Sequence, residues 1–190
     1  MNPLPVIACI GSRDTPPIIL DWMVETGAAL VRAGYEIRSG NAPGADQAWA
    51  RGGNSADPRR VTLCLPWEDF EEAAIVPGNV VRVLKLAESD HYVRDVRDTH
   101  PNFGVLTSGA VRLHARNAMI VEGAHLVLGA LNPTKPGGGG TGSAFRIAQR
   151  YKIATFNVAD AFMRECIEAR LRNGVDVLGP VFDTGKGKRW

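Results

Sequence analysis

The sequence predicts an α/β fold: three αβα layers around a mainly parallel, doubly wound sheet. Two observations carry that prediction. Short apolar runs alternate with helical stripes at the spacing of βαβ units. Three of those runs end in glycine-bearing turns that open directly into helices, at Gly11-Ser12-Arg13, at Gly40 to Asp46 and at Gly137 to Thr141.

The elements follow in order. Leu4 to Ile10 is a short apolar run, and Pro3 and Pro5 limit how early a strand begins there. Asp14-Thr15-Pro16-Pro17 breaks the chain. Ile18 to Ala33 then carries a helical stripe through Ile19, Trp22, Met23, Ala28, Leu30 and Val31, and Gly34 is a natural stop. Tyr35 to Arg38 is a second strand, and a helix begins at Gln47 to Arg51. Gly52 to Arg60 reads as a polar loop, and Val61 to Leu65 as a third strand ending at Pro66-Trp67. Residues 66–108 are the hardest to read. Val80 to Leu86 is expected as a short helix, and so long a connection is expected to be a lid, a binding loop or an oligomer contact. Ser108 to Glu122 is helical, and Ala124 to Leu131 is the strand before the glycine run. Ile153 to Val158 is another strand, Ala161 to Leu171 a helix within a C-terminal segment at 159–190, and Val175 to Phe182 an edge strand.

Bulk properties narrow the function. A chain of 190 residues with 45% hydrophobic content is long enough for one domain with a real core. The net charge of +2 gives no global field for nucleic acid or membrane. The basic tail, Lys186, Lys188 and Arg189, reads as a solvated end. No apolar run approaches the roughly 20 residues of a membrane span, so the expectation is a cytoplasmic protein without a membrane partner. Cys9, Cys64 and Cys166 are odd in number and widely spaced, which fits buried free thiols better than disulfides. His91, His100, His114 and His125 show no metal-ligand spacing, and no metal site is expected; His125 reads as structural.

In a doubly wound sheet, ligands sit beyond the carboxyl ends of the strands. The richest candidate there is Pro136-Gly137-Gly138-Gly139-Gly140-Thr141. Its glycines allow close approach to backbone N–H groups, and a helix start adds unpaired donors and a positive dipole end. Together these suit phosphate or another anion; a flexible linker is the alternative. Arg13 follows a strand end, where a guanidinium grips phosphate by parallel bonds or forms a surface ion pair. Asp46 either caps the helix at Gln47 or reaches a ribose hydroxyl. Arg116-Asn117 sits on a helix just before the strand that leads to the glycine run, where a polar pair among apolar neighbours either faces solvent or serves a site. Trp67 is either a stacking surface for a base or a core aromatic. In the glycine run, Thr141 is expected at the start of the helix. Neither Arg13 nor Arg116 is expected to be a core residue.

The motifs Gly11-Ser12-Arg13, Gly40-x-Ala42-x-Gly44-Ala45-Asp46, Pro66-Trp67, Arg116-Asn117 and Gly137-Gly138-x-Gly140-Thr141 together resemble the SLOG superfamily in order and spacing, over residues 5–158. That group includes YspA-like proteins, the DNA-processing protein A family and lysine-decarboxylase-like phosphoribohydrolases; the YspA-like branch is the nearest look. The resemblance implies a Rossmann-like fold whose pocket binds a nucleotide or a derivative such as ADP-ribose, often in a sensor role and often in a homo-oligomer. No other cofactor is implied. It places Gly11, Ser12, Arg13, Gly40, Ala42, Gly44, Asp46, Trp67, Arg116, Asn117, Gly137, Gly138, Gly139, Gly140 and Thr141 at that pocket, and its loop pattern implies that Gly138 and Gly140 are the sensitive positions and Gly139, the variable one, is tolerant.

One departure bears on catalysis. The phosphoribohydrolase pattern continues with two glutamates, and here Ser143 and Ala144 hold those positions. A carboxylate is the natural partner of a sugar cation in N-glycoside cleavage. The resemblance therefore implies phosphate binding without a catalytic pair, unless Glu122, Asp46 or the Glu68 to Glu72 cluster substitutes. A nucleotide-hydrolysing enzyme and a single-strand DNA binder remain the alternatives, and the near-neutral charge disfavours the latter.

Overall fold

The computed structural model describes residues 4–85, 89–132, 134–135 and 137–179. Six strands form one sheet, β1 (Val6–Gly11), β2 (Glu36–Ser39), β3 (Val61–Leu65), β4 (Val80–Val83), β5 (Leu126–Ala130) and β6 (Ala154–Asn157). Their spatial order is β4-β3-β2-β1-β5-β6, and every pairing is parallel. The helices are α1 (Pro17–Arg32), α2 (Ala45–Ala56), α3 (Asp90–Thr99), α4 (Ser108–Val121), α5 (Gly139–Arg150) and α6 (Ala161–Arg172).

The central strands are buried on both faces, which is why β1, β3 and β5 read as continuous apolar runs rather than alternating ones. Alternate residues of β1 divide between two cores. Val6, Ala8 and Ile10 join Val96, Ile120 and Ile147 from α3, α4 and α5. Ile7 and Cys9 join Met23, Leu30, Trp49 and Ile167 from α1, α2 and α6. Cys9 and Cys64 are buried, and burial pushes the Cys64 thiol up to about 11, so both are inert packing groups. Cys166 on α6 is partly exposed, contrary to expectation; Ile167 is the residue that this helix buries.

Helix boundaries have local causes. α1 starts with Pro17 and stops at Gly34, whose φ of 100° completes a terminal turn in which the Gly34 and Tyr35 N–H groups donate to Val31 and Leu30. The Thr107 hydroxyl accepts from the Ala110 N–H at the start of α4, and the Asp160 carboxylate accepts from Phe162 at the start of α6.

The structure corrects the sequence reading in several places. α2 begins at Ala45 and runs through Gly52 and Gly53 to Ala56, where a polar loop was expected. Those glycines belong to the helix because their bare faces let α1 and β3 approach closely. Val80–Val83 is an edge strand rather than a helix: its β-branched residues pair with Thr62 to Leu65. α3 was not expected at all, because its polar composition hides the Tyr92 and Val96 stripe that it buries. The stretch 66–108 thus supplies a strand and a helix to the main body. The expected edge strand at Val175 to Phe182 is not formed over residues 175–179, which are turn-like, and residues 180–182 lie outside the described residues, as does the basic tail.

Candidate functional site

The chain runs outward from β1 through β2 and β3 to β4, then returns to the other side of β1 as β5. The switch point lies between β1 and β5, where Ile7 to Gly11 pair with Leu126 to Ala130. The loops leaving those two strands must diverge, and a cleft opens between them. It measures about 390 Å³ and is bounded by the β1 turn, the first turns of α2 and α5, and one side of α4.

Most of the expected residues meet there. Gly11, Ser12, Arg13, Ala42, Asp46, Arg116, Asn117, Gly138, Gly139, Gly140 and Thr141 all line the cleft. Gly40, Gly44 and Gly137 stand behind it. Gly40 packs against Arg116 so closely that a Cβ would fall 1.2 Å from Nη1. Gly44 has a φ of 87°, which lets the chain enter α2 while its Cα backs on to the Arg13 carbonyl. The Gly137 carbonyl accepts from Arg146 Nη1 at 2.5 Å. Trp67 is elsewhere: it packs edge-on against Phe70, 5.3 Å between ring centroids, and lines a separate groove.

Asp46 ties several elements together beside the cleft. α2 starts one residue before it, with Gly44 as N-cap, so Asp46 does not cap Gln47. Its Oδ1 accepts from the Gly11 N–H at 3.2 Å, and its Oδ2 accepts from Ala42 N–H at 3.4 Å and from Arg116 Nη1 at 3.1 Å. These bonds tie the ends of β1 and β2 to α4. The pair is almost solvent-free, with Asp46 5% and Arg116 4% exposed. Burial pushes the Asp46 carboxyl above its ordinary range, and Arg116 with the two N–H groups pulls it back. Arg116 is therefore a core residue, contrary to expectation. Its Nη1 is committed to Asp46, and its buried Nε has no partner. A buried donor left unmatched beside a cleft is a group for a ligand to satisfy.

The glycine run also differs in register. α5 begins at Gly139 with Gly138 as N-cap, so Thr141 lies inside the first turn. Positive φ falls at Gly137 (77°) and Gly139 (65°), whereas Gly138 has a φ of −89°. The tolerant position expected at Gly139 is thus a position that needs glycine. Asn117 Nδ2 donates to the Gly140 carbonyl at 3.0 Å and so fixes the loop against α4. Ser143 and Ala144, which replace the two glutamates of the phosphoribohydrolase pattern, are fully buried and do not line the cleft.

Charge in the cleft is mixed. Arg13 and Lys135 are exposed at its rim, and among the described residues neither pairs with a carboxylate. Asp14 lies at the same rim and accepts from Asn132 Nδ2 at 3.1 Å. His114 also lines the cleft, edge-on to His100 with 4.8 Å between ring centroids. Burial pushes its imidazole down to about 4, with His100, Arg146 and Arg116 adding repulsion, and its buried Nδ1 has no partner. Sequence reading missed Asp14, His114, Asn132 and Lys135. Lys135 beside the glycine run and His114 one position before Ala115-Arg116 were the only available signals. The expected structural role of His125 holds: its Nδ1 accepts from the Val6 N–H at 3.1 Å.

Sheet order and the cleft at its switch point define a Rossmann-like α/β protein. No protein-family model and no curated protein sequence matches the chain. Solved structures do resemble it. DNA processing protein A from Helicobacter pylori, described for its single-stranded DNA binding mode, superposes with a TM-score of 0.56 at 18% identity, covering 94% of this chain and 77% of that one. The molybdenum cofactor binding protein of the phototrophic bacterium Rippkaea orientalis gives 0.53 at 17% identity, covering 92% and 89%. DNA processing protein A from Streptococcus pneumoniae gives 0.54 at 16% identity, covering 90% of this chain and 57% of that one. At these identities the likeness is one of fold.

Proposed function

We propose that the chain is a SLOG-type binding protein whose cleft holds the phosphate of a nucleotide or nucleotide-derived ligand such as ADP-ribose, in a sensor role rather than as a hydrolase. The carrying observation is convergence. The α5 N-terminus, the rim cations Arg13 and Lys135, and Arg116, whose buried Nε has no partner, all border one cleft. Backbone donors at a helix start and unpaired cations are the two things a phosphate requires. A sensor is favoured over a hydrolase because the cleft's two carboxylates, Asp14 and Asp46, are both engaged by protein partners. The glutamate positions of the phosphoribohydrolase pattern are buried serine and alanine.

Calorimetry with ADP-ribose, NAD, AMP and cyclic nucleotides tests the reading. At least one should bind below millimolar concentration, and silence from all of them would end the proposal. Release of free base or ribose phosphate on incubation would move the protein to the hydrolases. Single-strand DNA binding is the second reading, on the strength of the fold shared with the Helicobacter pylori protein.

A further inference from the structure

Helix α4 has a second wall. Its far side, with the ends of β3 and β4 and part of α3, encloses a groove of about 340 Å³. Trp67, Leu84, Val93, Val111 and Ala115 make that groove apolar, and Arg112 is the charged group on it. The volume falls within the roughly 300–1,000 Å³ typical of small-molecule sites.

Arg112 is placed unusually for a surface arginine. It is partly buried, and its Nη2 donates to the Leu84 carbonyl at 3.3 Å. Its Nε is buried without a partner, and among the described residues no carboxylate pairs with it. A guanidinium in apolar surroundings, with an unpartnered Nε–H, matches the two parallel oxygens of a carboxylate. Phosphate fits less well, since the groove's lining includes no second cation and the α5 N-terminus lies on the other cleft. Trp67 and the aliphatic walls would cover an aromatic or branched aliphatic body.

We propose that this groove is a second, independent site, which takes a small aromatic or branched aliphatic carboxylate with its anion on Arg112 and its apolar body against Trp67. The site needs nothing from the phosphate cleft: the two open on opposite sides of α4 and share no lining residue.

The experiment uses the full chain with phenylacetate, isovalerate and, as the uncharged control, phenylacetamide. Binding is followed by the indole resonance of Trp67, assigned with Trp67→Phe. At least one carboxylate should bind in the millimolar range or better, as expected for so small a ligand. Phenylacetamide should bind ten- to a hundredfold more weakly, roughly the loss of one charge-assisted bond. Arg112→Gln should weaken the carboxylate by a similar factor and leave the amide unchanged, while Arg13→Ala should change neither. Should Arg112→Gln fail to fold, Arg112→Lys takes its place; it keeps the charge, removes the fork and should give a smaller loss. The proposal is overturned if neither carboxylate moves the Trp67 resonance, if the amide binds equally well, or if the arginine variant binds like wild type. Competition by AMP would also overturn it, by making the groove one end of the phosphate cleft.

Discussion

Asp46 and Arg116 together hold three strand and helix ends in place, and that sets what their removal does. Truncating either leaves the other's charge buried and unpaired. We expect Asp46→Ala and Arg116→Ala each to cost about 3–5 kcal/mol in urea unfolding. Arg13→Ala should change stability by no more than about 0.5 kcal/mol, because Arg13 is exposed and in no ion pair among the described residues, and should weaken ligand binding by about 1.5–3 kcal/mol. Equal stabilities for the Arg13 and Arg116 variants would refute the structural role of the pair. His114 contributes to the pH dependence, beside its neighbour His100, whose imidazole burial also pushes down. The folded value of His114, about 4, lies below the ordinary 6.5, so the unfolded chain binds the proton first. Its contribution is complete above pH 6.5 and is lost as pH falls toward 4, by no more than about 3 kcal/mol. His114→Gln should flatten that part of the curve of unfolding free energy against pH; a curve parallel to wild type would show that another group titrates there.

Helix positions are set by close approach. The α5 entry depends on positive φ at Gly137 and Gly139, which costs an alanine about 1–2 kcal/mol. Gly139→Ala should therefore weaken nucleotide binding more than Gly138→Ala, measured in the same calorimetric titration. A reversed order would mean that the α5 entry is wound differently. Between α1 and α2 the constraint is contact: a Cβ on Gly52 would lie 2.1 Å from the Val24 carbonyl oxygen. Overpacking of this kind costs about 1–3 kcal/mol, so Gly52→Ala should lower the midpoint of thermal unfolding without altering binding, since Gly52 is remote from the cleft.

At the scale of the molecule, charge separates the two readings of function. A net charge of +2 gives little long-range attraction for a polyanion. Oligothymidine should not be retained in a gel shift at physiological salt. Retention that weakens steeply with added salt would instead favour the DNA reading, because each phosphate contact releases counterions.

Much of this was legible in the sequence. Parallel strands buried on both faces must be apolar throughout, so β1, β3 and β5 stood out, as did α1, with its stripe and terminal glycine. Strand-to-helix glycine turns marked the carboxyl edge of the sheet, and most of the residues they suggested line one cleft. Tertiary structure decided the rest, because those features depend on neighbours distant in the chain. β4 is a strand because β3 offers it hydrogen-bonding partners, and α3 is a helix whose few apolar residues suffice once the core receives them. Asp46 and Arg116 are 70 positions apart, so no local pattern could show that they meet, nor that Gly40 makes room for them. Trp67 follows a strand end as the cleft residues do, yet the outward run from β1 to β4 carries β3 away from the switch point and places Trp67 on the other side of α4.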